Sequence, residues 1–250
     1  MNKLLRGHLA LLLPVLLLGA TSARADLNSE QRLHAFAALP DWTGFWEQDS
    51  VRLGANGISK FKPLMGHPPY NAEWEAKFQA APGPAAHVIC SLGFPAIMDS
   101  PYSQFELVVL PEQTLFIPVD FSSTRQIFTD GRAHPPKEDL WPTPIGDSIG
   151  HWEGQTLVVD TISRKAGPIS VGNELSDQAH FIERIRLVDK NRLEDVMTIE
   201  DPIALMRPWQ VTLTYRKIKD VDRLIPYECS ENDRNPIVNG HFTIAPPKPK

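Results

Sequence analysis

Glu183 alternates with Phe181, Ile185 and Leu187. At the two-residue period of a strand these four side chains share one face, so the carboxylate is expected to point inward. Desolvation there raises a carboxyl pKa and makes a candidate general acid or base. Asp160 closes the run Thr156-Leu157-Val158-Val159-Asp160, on the face of Thr156 and Val158. A carboxylate on so apolar a strand is costly unless paired, which calls for an arginine such as Arg132 or Arg184. A structural ion pair and a catalytic acid both meet that demand. His134 lies in Asp130-Gly131-Arg132-Ala133-His134-Pro135, after a turn signal. It either caps its loop or moves a proton near neutral pH, and Arg132 either pairs with a carboxylate or holds an anionic group. Glu183, Asp160 and His134 are the candidate catalytic groups. Arg132, Arg184, His151, Trp152 and Trp209 are the candidate substrate contacts.

These groups need elements to position them. Beyond Cys90 the apolar period is two, and seven strands are expected, over 105–110, 114–119, 125–129, 156–161, 181–187, 193–199 and 210–215. Pro111-Glu112-Gln113, Glu153-Gly154-Gln155 and Asp189-Lys190-Asn191 read as hairpin connections. Sequential hairpins make an antiparallel meander, and a long meander removes its edges by closing into a barrel. Two small helices are expected outside it. Asn28 with Gln31 forms a capping box for a helix that ends before Pro40, and Asn71 opens a second over 72–81. The fold class is therefore mainly β, a barrel with peripheral helices, with a two-sheet sandwich as the alternative. Gly44-Phe45-Trp46 resembles the first strand of a lipocalin-type (calycin) barrel.

The chain opens with Lys3 and Arg6, an apolar run from Leu9 to Leu18, and Ala23-Arg24-Ala25. This is the pattern of a cleaved secretory signal over residues 1–25, and the run is too short to span a bilayer. Periplasmic or secreted localisation follows. Cleavage removes Lys3, Arg6 and Arg24 and no acid, taking the formal charge from −5 to −8. So acidic a chain lacks the clustered cations that neutralise phosphates, which argues against a nucleic-acid partner. Roughly 225 residues remain, enough for one large core. The expected organisation is an N-terminal helix over 26–40, one barrel domain over 41–244 and a disordered proline-rich tail over 245–250. In an oxidising compartment the two cysteines, Cys90 and Cys229, are expected to pair.

The eight histidines are scattered, without the tight spacing of a metal motif. No dinucleotide fingerprint or phosphate loop appears, so no nicotinamide or flavin cofactor is expected. Gly146-Asp147-Ser148-Ile149-Gly150 precedes a turn rather than a helix, which is the wrong setting for a nucleophile elbow.

Residues 125–161 resemble a family of exported bacterial proteins for which no activity is settled. Its pattern is an arginine before a strand, then D-G-R-x-H-P, then G-x-S-I-G-x-W-E-G-x-T-L-V-V-D-T. Here these are Arg125, Asp130 to Pro135, and Gly146 to Thr161, with further likeness at Glu183-Arg184, Thr198 to Pro202 and Pro208-Trp209. The resemblance covers roughly residues 40–235. Near the C-terminus the relatives carry A-C-H-E-G-N where this chain has Glu228-Cys229-Ser230-Glu231-Asn232, so Ser230 replaces a histidine.

Two functions fit these readings. One is a cofactor-independent periplasmic enzyme of lyase, isomerase or hydrolase type, working by acid–base chemistry on a small organic molecule. The other is a lipocalin-like barrel that binds a small ligand without chemistry, walled by Trp46, Trp152 and Trp209. The oligomeric state stays open.

Overall fold

A computed structural model describes residues 28–50, 52–54, 57–60, 64–80, 93–99, 104–119, 124–170, 173–224, 237–238 and 241–242. The signal-like segment, Cys90, Cys229 and the C-terminal tail lie outside these residues. Helix α1 (Ser29–Ala38) begins with the expected box, in which Asn28 accepts from the Gln31 N–H and Gln31 accepts from the Asn28 N–H. Helix α2 (Ala72–Ala80) starts where Asn71 accepts from the Trp74 N–H at 3.1 Å.

The strands are β1 (Phe45–Gln48), β2 (Arg52–Gly54), β3 (Gly57–Lys60), β4 (Gln104–Val109), β5 (Gln113–Pro118), β6 (Arg125–Phe128), β7 (Asp147–Glu153), β8 (Thr156–Ile162), β9 (Gly167–Ser170), β10 (Asn173–Leu175), β11 (His180–Asp189), β12 (Arg192–Glu200), β13 (Trp209–Lys217), β14 (Ile237–Val238) and β15 (His241–Phe242). Nine of them close a barrel in the order β1-β4-β5-β6-β7-β8-β11-β12-β13, which is their order in the chain. The other six pair as three separate two-stranded ribbons.

One pair departs from the expected antiparallel meander. Strands β6 and β7 run parallel, with Ile127 opposite Ser148 and Phe128 opposite Ile149. Topology requires such a pair. Directions around a closed ring of nine strands cannot all alternate, so one seam must be parallel. A hairpin cannot make that seam, and the chain must travel back along the barrel between Thr129 and Gly146. The same alternation sorts the ends. The turns 110–112, 154–155 and 190–191 share one end, and the longer connections 49–103, 163–179 and 201–208 share the other.

Strand β7 occupies the stretch that the sequence presents as a glycine-rich turn. Its signal is masked because Gly150 stands at an inward position where a side chain would alternate. A Cβ there would meet the Val158 carbonyl oxygen at 2.8 Å, so the close approach of β7 to β8 demands glycine. Elsewhere burial follows the pleat, alternating residue by residue along β8 and β12. The inward groups include Trp46, Phe105, Phe116, Phe181 and Tyr215, all buried. Phe105 stacks on Phe116 at 4.0 Å and meets Tyr215 edge-on at 4.9 Å. Such ring pairs add about 0.5–1.5 kcal/mol each beyond burial. No helix among the described residues is long and apolar enough to cross a membrane.

Candidate functional site

The barrel interior is not purely apolar. Arg125, the first residue of β6, is 1% exposed and lies against Glu183 of β11, which is 0% exposed. Its Nη1 donates to Glu183 Oε1 at 2.9 Å and its Nη2 to Oε2. Nε donates to Ser148 Oγ of β7 at 3.2 Å, and Nη2 also donates to Thr161 Oγ1 of β8 at 2.8 Å. The Phe94 ring covers the guanidinium with its centroid 3.7 Å from Cζ. Four strands thus supply one charge-assisted network whose geometry holds the Glu183 carboxylate bidentate.

Asp195 of β12 joins this network from the neighbouring strand. Glu183 is opposite Met197 in register, so Asp195 lies diagonally across on the same inner face. It is fully buried, and no N–H or hydroxyl among the described residues donates to either of its oxygens. Burial, and next the Glu183 charge, push its carboxyl well above the usual range, against a smaller opposing pull from Arg125. Tyr215 of β13 completes the polar set, its phenol raised by burial and then by the charge of Asp195. Two carboxyls on one wall therefore sit in different environments, one pushed toward its protonated form by burial and the other paired with a cation. That is the electrostatic arrangement general acid–base chemistry uses.

A second polar set lies outside the barrel. Asp160 pairs with Ile149 on one side and Ile182 on the other, and its side chain is 45% exposed. The returning segment 129–146 crosses this face and delivers His134. The ring Nδ1 of His134 faces Asp147 Oδ1, and Nε2 faces Asp160 Oδ1 at 3.2 Å. His180 Nε2 reaches the same Asp160 oxygen at 2.9 Å, and its Nδ1 lies 3.7 Å from Glu200 Oε2. The result is a transverse row, Asp147–His134–Asp160–His180–Glu200, that staples the returning segment to the wall. Among the described residues no group of three or more His, Cys, Asp or Glu side chains is arranged to hold a metal ion.

The sequence-derived candidates are thus divided. His134 and Asp160 meet, whereas Glu183 faces the other side of the same wall, so the three do not share one site. Asp160 is paired with His134 and His180, not with the expected Arg132 or Arg184, and the arginine beside Glu183 is Arg125. Arg132 pairs with Asp130, Nη2 to Oδ2 at 2.7 Å, and lies over the Phe128 ring. Arg184 points outward and donates to Glu153 Oε2 at 2.7 Å, while exposed His151 lies 3.3 Å from Oε1 of the same Glu153. Trp152 packs edge-on against Trp42 at 5.1 Å near the turn end, and Trp209 is buried at the start of β13. Arg125 and Asp195 are the groups that sequence reasoning missed. Asp195 alternates with Leu193 and Met197, the same sign that singles out Glu183.

A scan against protein-family models, a search of curated proteins and a search of solved structures each gave no match. The fold and site define a closed, mixed nine-stranded barrel with an ionisable network sealed in its interior.

Proposed function

We propose that this protein is an exported enzyme that moves protons on a small organic molecule inside the barrel, without a cofactor. The observation that carries the reading is Asp195, a fully buried carboxyl with no donor on either oxygen among the described residues, held beside a paired carboxylate. Unsatisfied buried polar atoms are expensive, and native proteins keep them mainly where they serve a site. In this reading Asp195 is the acid, Glu183 the carboxylate that receives and returns its proton, and Arg125 the group that fixes Glu183. Lyase, isomerase and hydrolase chemistry all use such a pair. Arg125, Ser148, Thr161 and Glu183 also belong to the pattern shared with the exported bacterial family, which supports a common site. Export itself rests on residues 1–25, and a Cys90–Cys229 bridge would form in that compartment. Two free thiols in denatured, unreduced periplasmic protein would refute the bridge.

The test is solvent-deuterium exchange. Incubated in D2O with a panel of small aldehydes, ketones and esters, the wild type is expected to exchange the hydrogens beside the carbonyl of at least one. Asp195→Asn keeps a donor toward Glu183 and the shape of the side chain, and is expected to abolish exchange while remaining folded. Exchange that is absent across the panel, or equal in Asp195→Asn, overturns the proposal.

A second reading is a lipocalin-like carrier that binds without chemistry. The ring-lined wall of Phe94, Phe105, Phe116 and Phe181 favours it. Ligand binding would then be indifferent to Asp195→Asn.

A further inference from the structure

Residues Gly93 to Asp99 are buried without exception, although they form no strand and sit in the long 49–103 connection. Connecting segments normally run over the surface, because their backbone groups need water. This one enters the open end of the barrel and finds partners there instead. The Phe94 N–H donates to the Pro144 carbonyl at 2.9 Å, and Arg164 Nε donates to the Phe94 carbonyl. Asp99 accepts from the Leu64 and Met65 N–H groups at 2.8 and 3.1 Å and from Gln48 Nε2. Between these anchors lies Met98, whose N–H donates to the Pro95 carbonyl at 2.8 Å but whose sulfur and carbonyl accept only long bonds.

Two donors of the wall end on Met98. Four of the five Arg125 donors reach oxygen; the fifth, on Nη1, reaches Met98 Sδ at 3.7 Å. A thioether is a poor acceptor. The Tyr215 hydroxyl donates to the Met98 carbonyl at 3.2 Å, long for an O–H···O bond. Two buried donors from different strands thus converge on one residue that satisfies neither well.

We propose that Met98 stands in the place of the ligand, and that the ligand is a small neutral carbonyl compound. Its oxygen would accept from Tyr215 and Arg125 once Met98 withdraws. The inference rests on the interior site of the proposed function and adds the class of molecule and what it displaces. Tyr215 already holds a neutral carbonyl, the amide of Met98, so a ketone, aldehyde or ester oxygen repeats a contact the wall makes. A carboxylate would not serve. The Arg125 cation is already balanced by Glu183, and a second anion beside Glu183 would be repelled at low dielectric.

The test is calorimetric titration of acetophenone, with toluene as the apolar control, into the full-length wild type and Met98→Ala, which removes the sulfur and frees the Arg125 Nη1 donor while the residue 98 carbonyl stays with Tyr215. Met98→Ala is expected to bind acetophenone about tenfold or more tighter than wild type, as one hydrogen bond is worth, and to bind toluene with a clearly smaller gain. A gain that toluene matches in full shows a bare cavity and overturns the proposal. No gain in folded Met98→Ala overturns it as well. Should Met98→Ala fail to fold, Met98→Val also removes the sulfur and reads the same quantity. Deuterium exchange without tightened binding sinks this inference alone. Tightened binding with no exchange across the panel sinks the acid–base reading and leaves the ligand class standing.

Discussion

Glu183 and Asp160 lie on neighbouring strands one register step apart, yet on opposite sides of the barrel wall. Asp160 pairs with Ile182, and the pleat that turns Ile182 and Asp160 outward turns Glu183 inward. The inner carboxylate is sealed and salt-bridged, and the outer one is part of a partly exposed histidine row. Substitutions at the two positions should therefore act on different properties.

Glu183→Gln leaves the Arg125 cation buried without its carboxylate. Breaking one side of a buried pair costs about 3–5 kcal/mol. For a domain of this size each kcal/mol moves the melting temperature by about 2–4 °C, so the loss should be on the order of 10 °C by circular dichroism. Replacing both partners with apolar residues, as in Arg125→Met/Glu183→Leu, should recover much of it. A Glu183→Gln melt equal to wild type would show that Arg125 does not depend on the pair.

Asp195 carries a raised carboxyl pKa in the folded state. A group of this kind favours folding when it is protonated, so its contribution is complete below the ordinary carboxylate range and is lost as pH rises through the folded value. Asp195→Asn removes the titration. The variant's melting temperature relative to wild type is expected to climb as pH is raised above about 4. A difference that is flat with pH would mean Asp195 is ionised throughout.

Asp99 is raised to about 6, first by burial, with its Leu64, Met65 and Gln48 hydrogen bonds pulling the other way. The sign is the same, and here the window is set. Its stabilisation is present below the unfolded value near 4 and lost as pH passes about 6, for a total of about 2–3 kcal/mol. Comparing unfolding free energies of wild type and Asp99→Asn between these limits should show the wild-type advantage shrinking. An advantage that grows with pH would reverse the assignment.

Alternation along the chain identifies the seven expected strands to within a few residues, along with both helices and the inward aim of Glu183. It does not reveal β7, because Gly146 and Gly150 replace the side chains that would mark its period. Nor does it pair Glu183 with Arg125, since those residues stand on strands three places apart around the ring and meet only across the interior. Asp160 misleads for a related reason. Its strand is apolar on both faces because segment 129–146 covers part of the outer one, so the sequence presents a half-wet position as buried. Met98 gives no local signal at all.

His134→Ala should free the returning segment. The substitution removes two charge-assisted hydrogen bonds and leaves Asp147 and Asp160 facing each other, a cost of about 1.5–3 kcal/mol. Limited proteolysis should then cut between Asp130 and Ile145 faster than in wild type, ahead of global unfolding. Unchanged cleavage would show that other contacts hold the segment.

The parallel seam has a mechanical consequence. It is zipped by two residue pairs, where β11 and β12 share nine. A cylinder under thermal strain splits along the line with the fewest rungs, and an odd ring cannot avoid having one line that no hairpin reinforces. Arg125 stands on one lip of that line, and its bond to Ser148 reaches the other lip. Its bonds to Thr161 and Glu183 fasten it two strands deeper. The guanidinium is thus a rivet through the fault, and the hoop stays closed because a charge at its centre holds both sides.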